Sequence, residues 1–247
     1  MPIGTERVEK NPESKVWVKK NNALYSPHVL SIADSLNENS ICIVAGRYGI
    51  GKTHNLCPAL RKELSERKWV TEIDDFGNHL SKAPLFRLIK PSRKVVILDE
   101  AGETLSLYEA DALKMTKRLY NSGIKIVSVF GYHPEKADLL EQRIDMWKKL
   151  ARIATGKEPT VYKLPENIIT PEVASAFLKD TYKYISQEAL DFILAKIPMN
   201  WRIINDLGSS SYSVEELKLY VKNHMDAWLR IGQLSEKEHE IIKGNLL

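Results

Sequence analysis

The sequence predicts an α/β fold, a parallel sheet covered by helices on both faces, followed by a smaller all-helical unit. Three observations predict it. Apolar strand-like runs alternate with segments of helical periodicity through about residue 165, the pattern of a parallel sheet with helical crossovers. Gly46-Arg47-Tyr48-Gly49-Ile50-Gly51-Lys52-Thr53 sets two glycines five apart before Lys and a hydroxyl residue. That stretch lies between a strand-like and a helix-like run. From Thr170 onward every segment reads as helix.

The elements follow in order. Residues 1–22 mix charge with Pro2 and Pro12 and are expected to form an arm. Val29, Leu30, Ile32, Ala33 and Leu36 recur at helical spacing, which predicts a short helix from Pro27 to Leu36. Ile41–Ala45 is the first strand, and Asn55–Arg67 the helix after the glycine loop. Trp69–Ile73 is a second strand, broken by Asp74-Asp75, with a weak helical piece around Leu80–Ile89. Val95–Leu98 is apolar at every position, the mark of a strand buried on both faces. Leu107–Tyr120 is a helix whose inner side carries Leu113, Met115, Leu119 and Tyr120. Ile124–Phe130 is a central strand ended by Gly131-Tyr132-His133-Pro134. Leu139–Ile153 is a helix with Lys148, Lys149 and Arg152 outward, and Thr160–Leu164 a last strand.

Beyond it, Thr170-Pro171-Glu172 joins an N-cap, a first-position proline and an acid in the first turn. Ser186 opens a second helix, Trp201–Leu207 is a third, and Ser213–Glu216 is a capping box before a long fourth. Ser235–Glu238 repeats the box before a short tail. The expected division is an arm over 1–22, an α/β domain over 23–166, a helical lid over 167–232 and a tail over 233–247.

Composition narrows the function classes. The 247 residues are 43% hydrophobic and 28% charged, as in globular proteins rather than disordered ones. No apolar run approaches the ~20 residues of a membrane span, and the first residues lack the apolar centre of a secretion signal. Only Cys42 and Cys57 occur, which fits a reducing, cytoplasmic setting. The net charge of +4 and pI near 8.8 permit nucleic-acid contact without marking a dedicated binder. Cys and His do not cluster at metal-ligand spacing, and no Gly-x-Ser-x-Gly elbow appears.

Gly46–Thr53 carries the chemistry. It is a P-loop, whose glycines let successive backbone N–H groups turn toward phosphate oxygens. The helix after it adds the positive end of its dipole. The expected nucleotide-binding residues are Gly46, Arg47, Tyr48, Gly49, Ile50, Gly51, Lys52, Thr53 and His54. Lys52 would reach the β- and γ-phosphates, and the Thr53 hydroxyl would ligate Mg²⁺. Asp99-Glu100, at the end of the all-apolar strand, reads as a Walker B pair. Asp99 would hold Mg²⁺ and Glu100 would polarise the attacking water. ATP and Mg²⁺ are therefore the expected cofactors.

Three stretches then resemble AAA+ ATPases of the initiator and clamp-loader branch. The first is the P-loop with its Walker B pair. The second is Ile124–Phe130 with Gly131-Tyr132-His133-Pro134 and Leu139–Arg143. The third is Ile185–Ile193 with Asn200-Trp201-Arg202-Ile203-Ile204-Asn205-Asp206-Leu207, similar to lid helices. The likeness runs from about Leu24 to Tyr220. It implies that Arg202 contacts the γ-phosphate from the lid and that Arg143, with Arg152 as rival, is a finger supplied in trans. It implies a polar sensor at Tyr132, with His133 beside it, where the family usually places Asn, Ser or Thr.

The resemblance further implies an ATPase of DNA replication that loads or remodels a nucleic-acid complex. Its partners would be copies of itself or other AAA+ subunits, and a DNA-bound complex. Initiators of this branch carry a further DNA-binding module after the lid. None is expected here, so a loader, helper ATPase or mobile-element protein fits better. Two alternatives stand beside it: a non-catalytic ATP-dependent assembly switch, which the unusual sensor favours, and a P-loop motor of another branch, such as a DNA-packaging ATPase.

Overall fold

A computed structural model describes residues 14–75, 94–99, 101, 109–182, 185–210 and 213–246. Among these residues five strands form one sheet: β1 (Ile41–Arg47), β2 (Val70–Asp75), β3 (Lys94–Asp99), β4 (Ile124–Tyr132) and β5 (Thr160–Lys163). Their order across the sheet is β2-β3-β4-β1-β5 and every pairing is parallel. β1 is thus flanked by β4 and β5, and its C-terminal end opens between them.

The all-apolar runs are central because both of their faces are buried. Cys42, Val44, Val95, Ile97, Val127 and Val129 lie in one core cluster. It continues into α1 (Ser14–Glu38), α2 (Cys57–Glu66) and the C-terminal helices. The alternate residues, Ile43, Ala45, Val96, Leu98, Ile126 and Phe130, lie in a second cluster. It includes residues of α3 (Glu109–Asn121) and α4 (Ala137–Thr155).

The C-terminal part comprises α5 (Pro171–Thr181), α6 (Gln187–Lys196), α7 (Trp201–Ser210), α8 (Val214–Arg230) and α9 (Glu236–Leu246). The caps form as the sequence predicts. Thr170 Oγ1 accepts from Val173 N at 3.4 Å, and Ser186 Oγ from Ala189 N at 3.1 Å. Ser213 and Glu216 make a reciprocal capping box.

Several boundaries differ from expectation. The first helix begins at Ser14, inside the stretch read as an arm, and runs through Pro27. Tyr25 is buried along with Val29, Ile32 and Leu36, so the helical spacing of the buried residues reaches back past the proline. β2 is not broken at Asp74 but continues through Asp75, because that pair completes its ladder with β3. β4 likewise runs through Gly131 to Tyr132, in register with Arg47 of β1. On α3 the buried line is Ala112, Thr116 and Leu119; Leu113, Met115 and Tyr120 are only partly covered. The expected tail contains a helix, α9, with His239 and Ile242 buried. The expected helix at Leu80–Ile89 lies outside the described residues.

Candidate functional site: the loop between β1 and α2

The site is built on the C-terminal end of β1. Gly49 and Gly51 adopt φ of 78° and 85°, left-handed values that favour glycine. The chain then enters a wide turn, Lys52–Leu56, before α2. Asn55 N and Leu56 N both donate to Gly51 O at 3.0 Å there. The Lys52 side chain is buried and donates to Gly46 O at 3.0 Å and Arg47 O at 2.9 Å. Its ammonium also lies 5.8 Å from the centroid of the Tyr48 ring. Thr53 and His54, at the start of the turn, are exposed.

Three consecutive loop carbonyls are held from outside. Tyr48 O accepts from Asn200 Nδ2 at 3.1 Å, and Gly49 O from Trp201 N at 2.9 Å. Ile50 O accepts from the Tyr25 hydroxyl, which in turn accepts from Trp201 Nε1 at 3.1 Å. In a trans peptide the carbonyl and the following N–H point in opposite directions. Fixing these carbonyls outward therefore turns the N–H groups of Gly49, Ile50 and Gly51 inward. Among the described residues, those three amides donate to no backbone carbonyl. Successive inward amides beside a buried ammonium at a helix start form an anion cradle, and the residues present fit a nucleotide's phosphates. The cradle is crowded on its outer side: a Cβ at Gly49 would run into the Asn200 amide, and one at Gly51 into Tyr25.

Asp99 is the last residue of β3 and is buried. By strand alternation it follows Val95 and Ile97, so it emerges on the sheet face that carries α2. Thr53 and Asp99 offer the oxygens a hard divalent cation takes. Glu100 lies outside the described residues.

The other expected residues are dispersed. Tyr132 belongs to the opposite face, packed on the second cluster, and its hydroxyl donates to Glu166 Oε1 at 3.1 Å. Burial first, then the Glu166 charge, pushes its phenol up to about 12. The sensor expected at Tyr132 is therefore not brought together with Asp99. The end of β4 instead receives the Tyr48 ring, which lies where a Cβ on Gly131 would go. His133 is held by the C-terminal part, with Nε2 3.2 Å from Leu229 O. Arg143 donates to Gly131 O of its own chain at 3.3 Å, and Arg152 pairs with Glu158. The Arg47 side chain leaves the loop altogether and grips Glu238 of α9 and Gln233 O.

Arg202 is exposed in the first turn of α7. It directly follows Trp201, whose N–H binds the loop, and its own N–H donates to Asn200 Oδ1 at 3.0 Å. Its charge acts on Asp206, where it opposes the upward push of burial. Tyr25, Asn200, Trp201 and Glu238 were not singled out from the sequence as site residues. Two of them carried a local signal: Asn200 as an N-cap residue ahead of a helix, and Glu238 as the acid of the Ser235–Glu238 capping box.

No family model matches the chain, and no curated protein matches its sequence. Solved structures do. A DNA replication initiation factor is similar over 86% of this chain and 68% of its own, with a TM-score of 0.50 and 20% identity. AMPPCP-bound DnaA from Aquifex aeolicus is similar over 91% and 72%, with a TM-score of 0.51 and 17% identity. Identities this low speak to fold. With the β2-β3-β4-β1-β5 order, the P-loop at the end of β1 and the helices after β5, the chain has the AAA+ P-loop NTPase fold.

Proposed function

We propose that this chain binds Mg-ATP at the β1–α2 loop and hydrolyses it in DNA replication or in the remodelling of a DNA-bound complex. The observation that carries the reading is the row of amides at Gly49, Ile50 and Gly51, turned inward beside the buried Lys52. In this reading Gly46 to His54 surround the phosphates and Lys52 compensates their charge. Thr53 and Asp99 hold Mg²⁺, which supplies further charge compensation at the phosphate oxygens. Glu100 orients the attacking water. Arg202, one residue from a main-chain contact with the loop, swings from the helical part toward the terminal phosphate. The DNA role is supported by the similar solved structures, a DNA replication initiation factor and DnaA.

Two observations favour a second reading, an ATP-dependent switch without turnover. Tyr132 is committed to Glu166 on the sheet face opposite Asp99. Arg143 serves as a finger in trans to a neighbouring subunit only by giving up Gly131 O. Phosphate release with wild type and Glu100→Gln separates the two. The enzyme reading expects turnover that falls at least tenfold in the variant. Equal rates would leave the switch.

A further inference from the structure

We propose that Asn200 and Tyr25 are positioning residues for the phosphates. From outside the loop, they set the direction in which its amides face. The inference rests on the nucleotide-binding reading above and extends it to two side chains that would touch no phosphate themselves.

Asn200 is 2% exposed, and among the described residues its side chain makes four hydrogen bonds, all to main chain. Its Nδ2 protons go to Tyr48 O at 3.1 Å and Gln233 O at 3.2 Å. Its Oδ1 accepts from Arg202 N at 3.0 Å and Ile203 N at 3.5 Å. Carbonyls on one side and amides on the other fix which end of the carboxamide faces which way. One side chain thus caps the helix that bears Arg202 and pins the first of the three outward carbonyls. Tyr25, fully buried in α1, pins the third. Trp201 N pins the one between, and the Trp201 indole braces Tyr25. The pins come from both ends of the chain, α1 and the start of α7. The cradle is therefore assembled only when the helical part is docked on the sheet.

Asn200 and Tyr25 each allow a narrow substitution. Asn200→Asp keeps the oxygen that caps α7 and removes the donor to Tyr48 O. Tyr25→Phe removes a single hydroxyl. Wild type, both variants and Lys52→Ala are titrated with Mg-ATP, with inorganic tripolyphosphate and with adenosine, well below their melting temperatures. Each positioning variant is expected to lose about tenfold in affinity for ATP and for tripolyphosphate alike, the worth of about one hydrogen bond. Adenosine binding is expected to stay unchanged. A purely structural role would lower the melting temperature and leave the folded protein's affinities where they were; that result overturns the inference. So does a loss that falls on adenosine, which would make these residues contacts for the base. Should Asn200→Asp fail to fold, Tyr25→Phe decides alone. If wild type itself binds neither ATP nor tripolyphosphate, the nucleotide reading falls first and this inference with it.

Discussion

Arg47, in the phosphate loop, and Glu238, in the first turn of the last helix, form a two-pronged ion pair across 191 residues, with Nη1 2.8 Å from Oε1. Glu238 is also the third helical residue of a capping box. Its carboxylate accepts from Ser235 N at 2.7 Å while Ser235 Oγ accepts from Glu238 N at 3.2 Å. One carboxylate therefore starts α9 and ties it to the end of β1.

The pair is mostly shielded, with side-chain exposures of 12% and 22%. Glu238→Gln should cost about 2 kcal/mol, because it leaves a largely buried guanidinium without its counter-charge. The pH dependence has a definite sign. Burial pushes the Glu238 carboxyl up, but the Arg47 guanidinium and the Ser235 amide outweigh it and leave the group below its ordinary 4.5. Its contribution is complete above pH 4.5 and is lost as the pH falls through the lower folded-state value. Urea unfolding from pH 7 down to pH 3 should show that loss in wild type and a flatter acid limb in Glu238→Gln.

Gly131→Ala should disturb the loop from the strand beside it. A Cβ there would run into the Tyr48 ring, and overpacking of this kind costs about 1–3 kcal/mol. The displaced Tyr48 also carries the carbonyl held by Asn200. Nucleotide affinity should therefore fall along with stability, as denaturant unfolding and a titration with Mg-ATP would register.

Ser128 makes the opposite case. Its hydroxyl is fully buried in β4, level with Ile43 and Leu98, and has no hydrogen-bond partner among the described residues. Ser128→Ala removes an unsatisfied polar atom without opening a large void. It should be neutral or stabilising by up to about 1 kcal/mol, read as a higher urea midpoint at constant slope.

What the sequence made legible follows a physical line. The strands β1 and β3 are visible because burial on both faces requires unbroken apolar runs, and β4 because its run is apolar apart from Lys125 and Ser128. The helix starts at Thr170, Ser186 and Ser213 are visible because capping is a local transaction between residues three apart. The Gly-Lys-Thr loop is visible because its dihedrals demand glycine. The pins are not visible. Tyr25 lies 25 residues before Ile50, and Asn200 lies 152 after Tyr48; no spacing rule joins them. Tyr132 lies apart from Asp99 for a related reason. β4 runs two residues further than its apolar stretch, and strand alternation then carries Tyr132 to the face away from Asp99.

The central claim is that the loop after β1 grips a triphosphate through inward amides and Lys52. Calorimetric titration of Mg-ATP into wild type and Lys52→Ala tests it most directly, with melting curves alongside. The account predicts saturable binding by wild type, with about 2.7 kcal/mol of stabilisation at a hundredfold excess over Kd, and loss of both signals in Lys52→Ala. Equal affinity in the two proteins, or no binding by wild type, would contradict it.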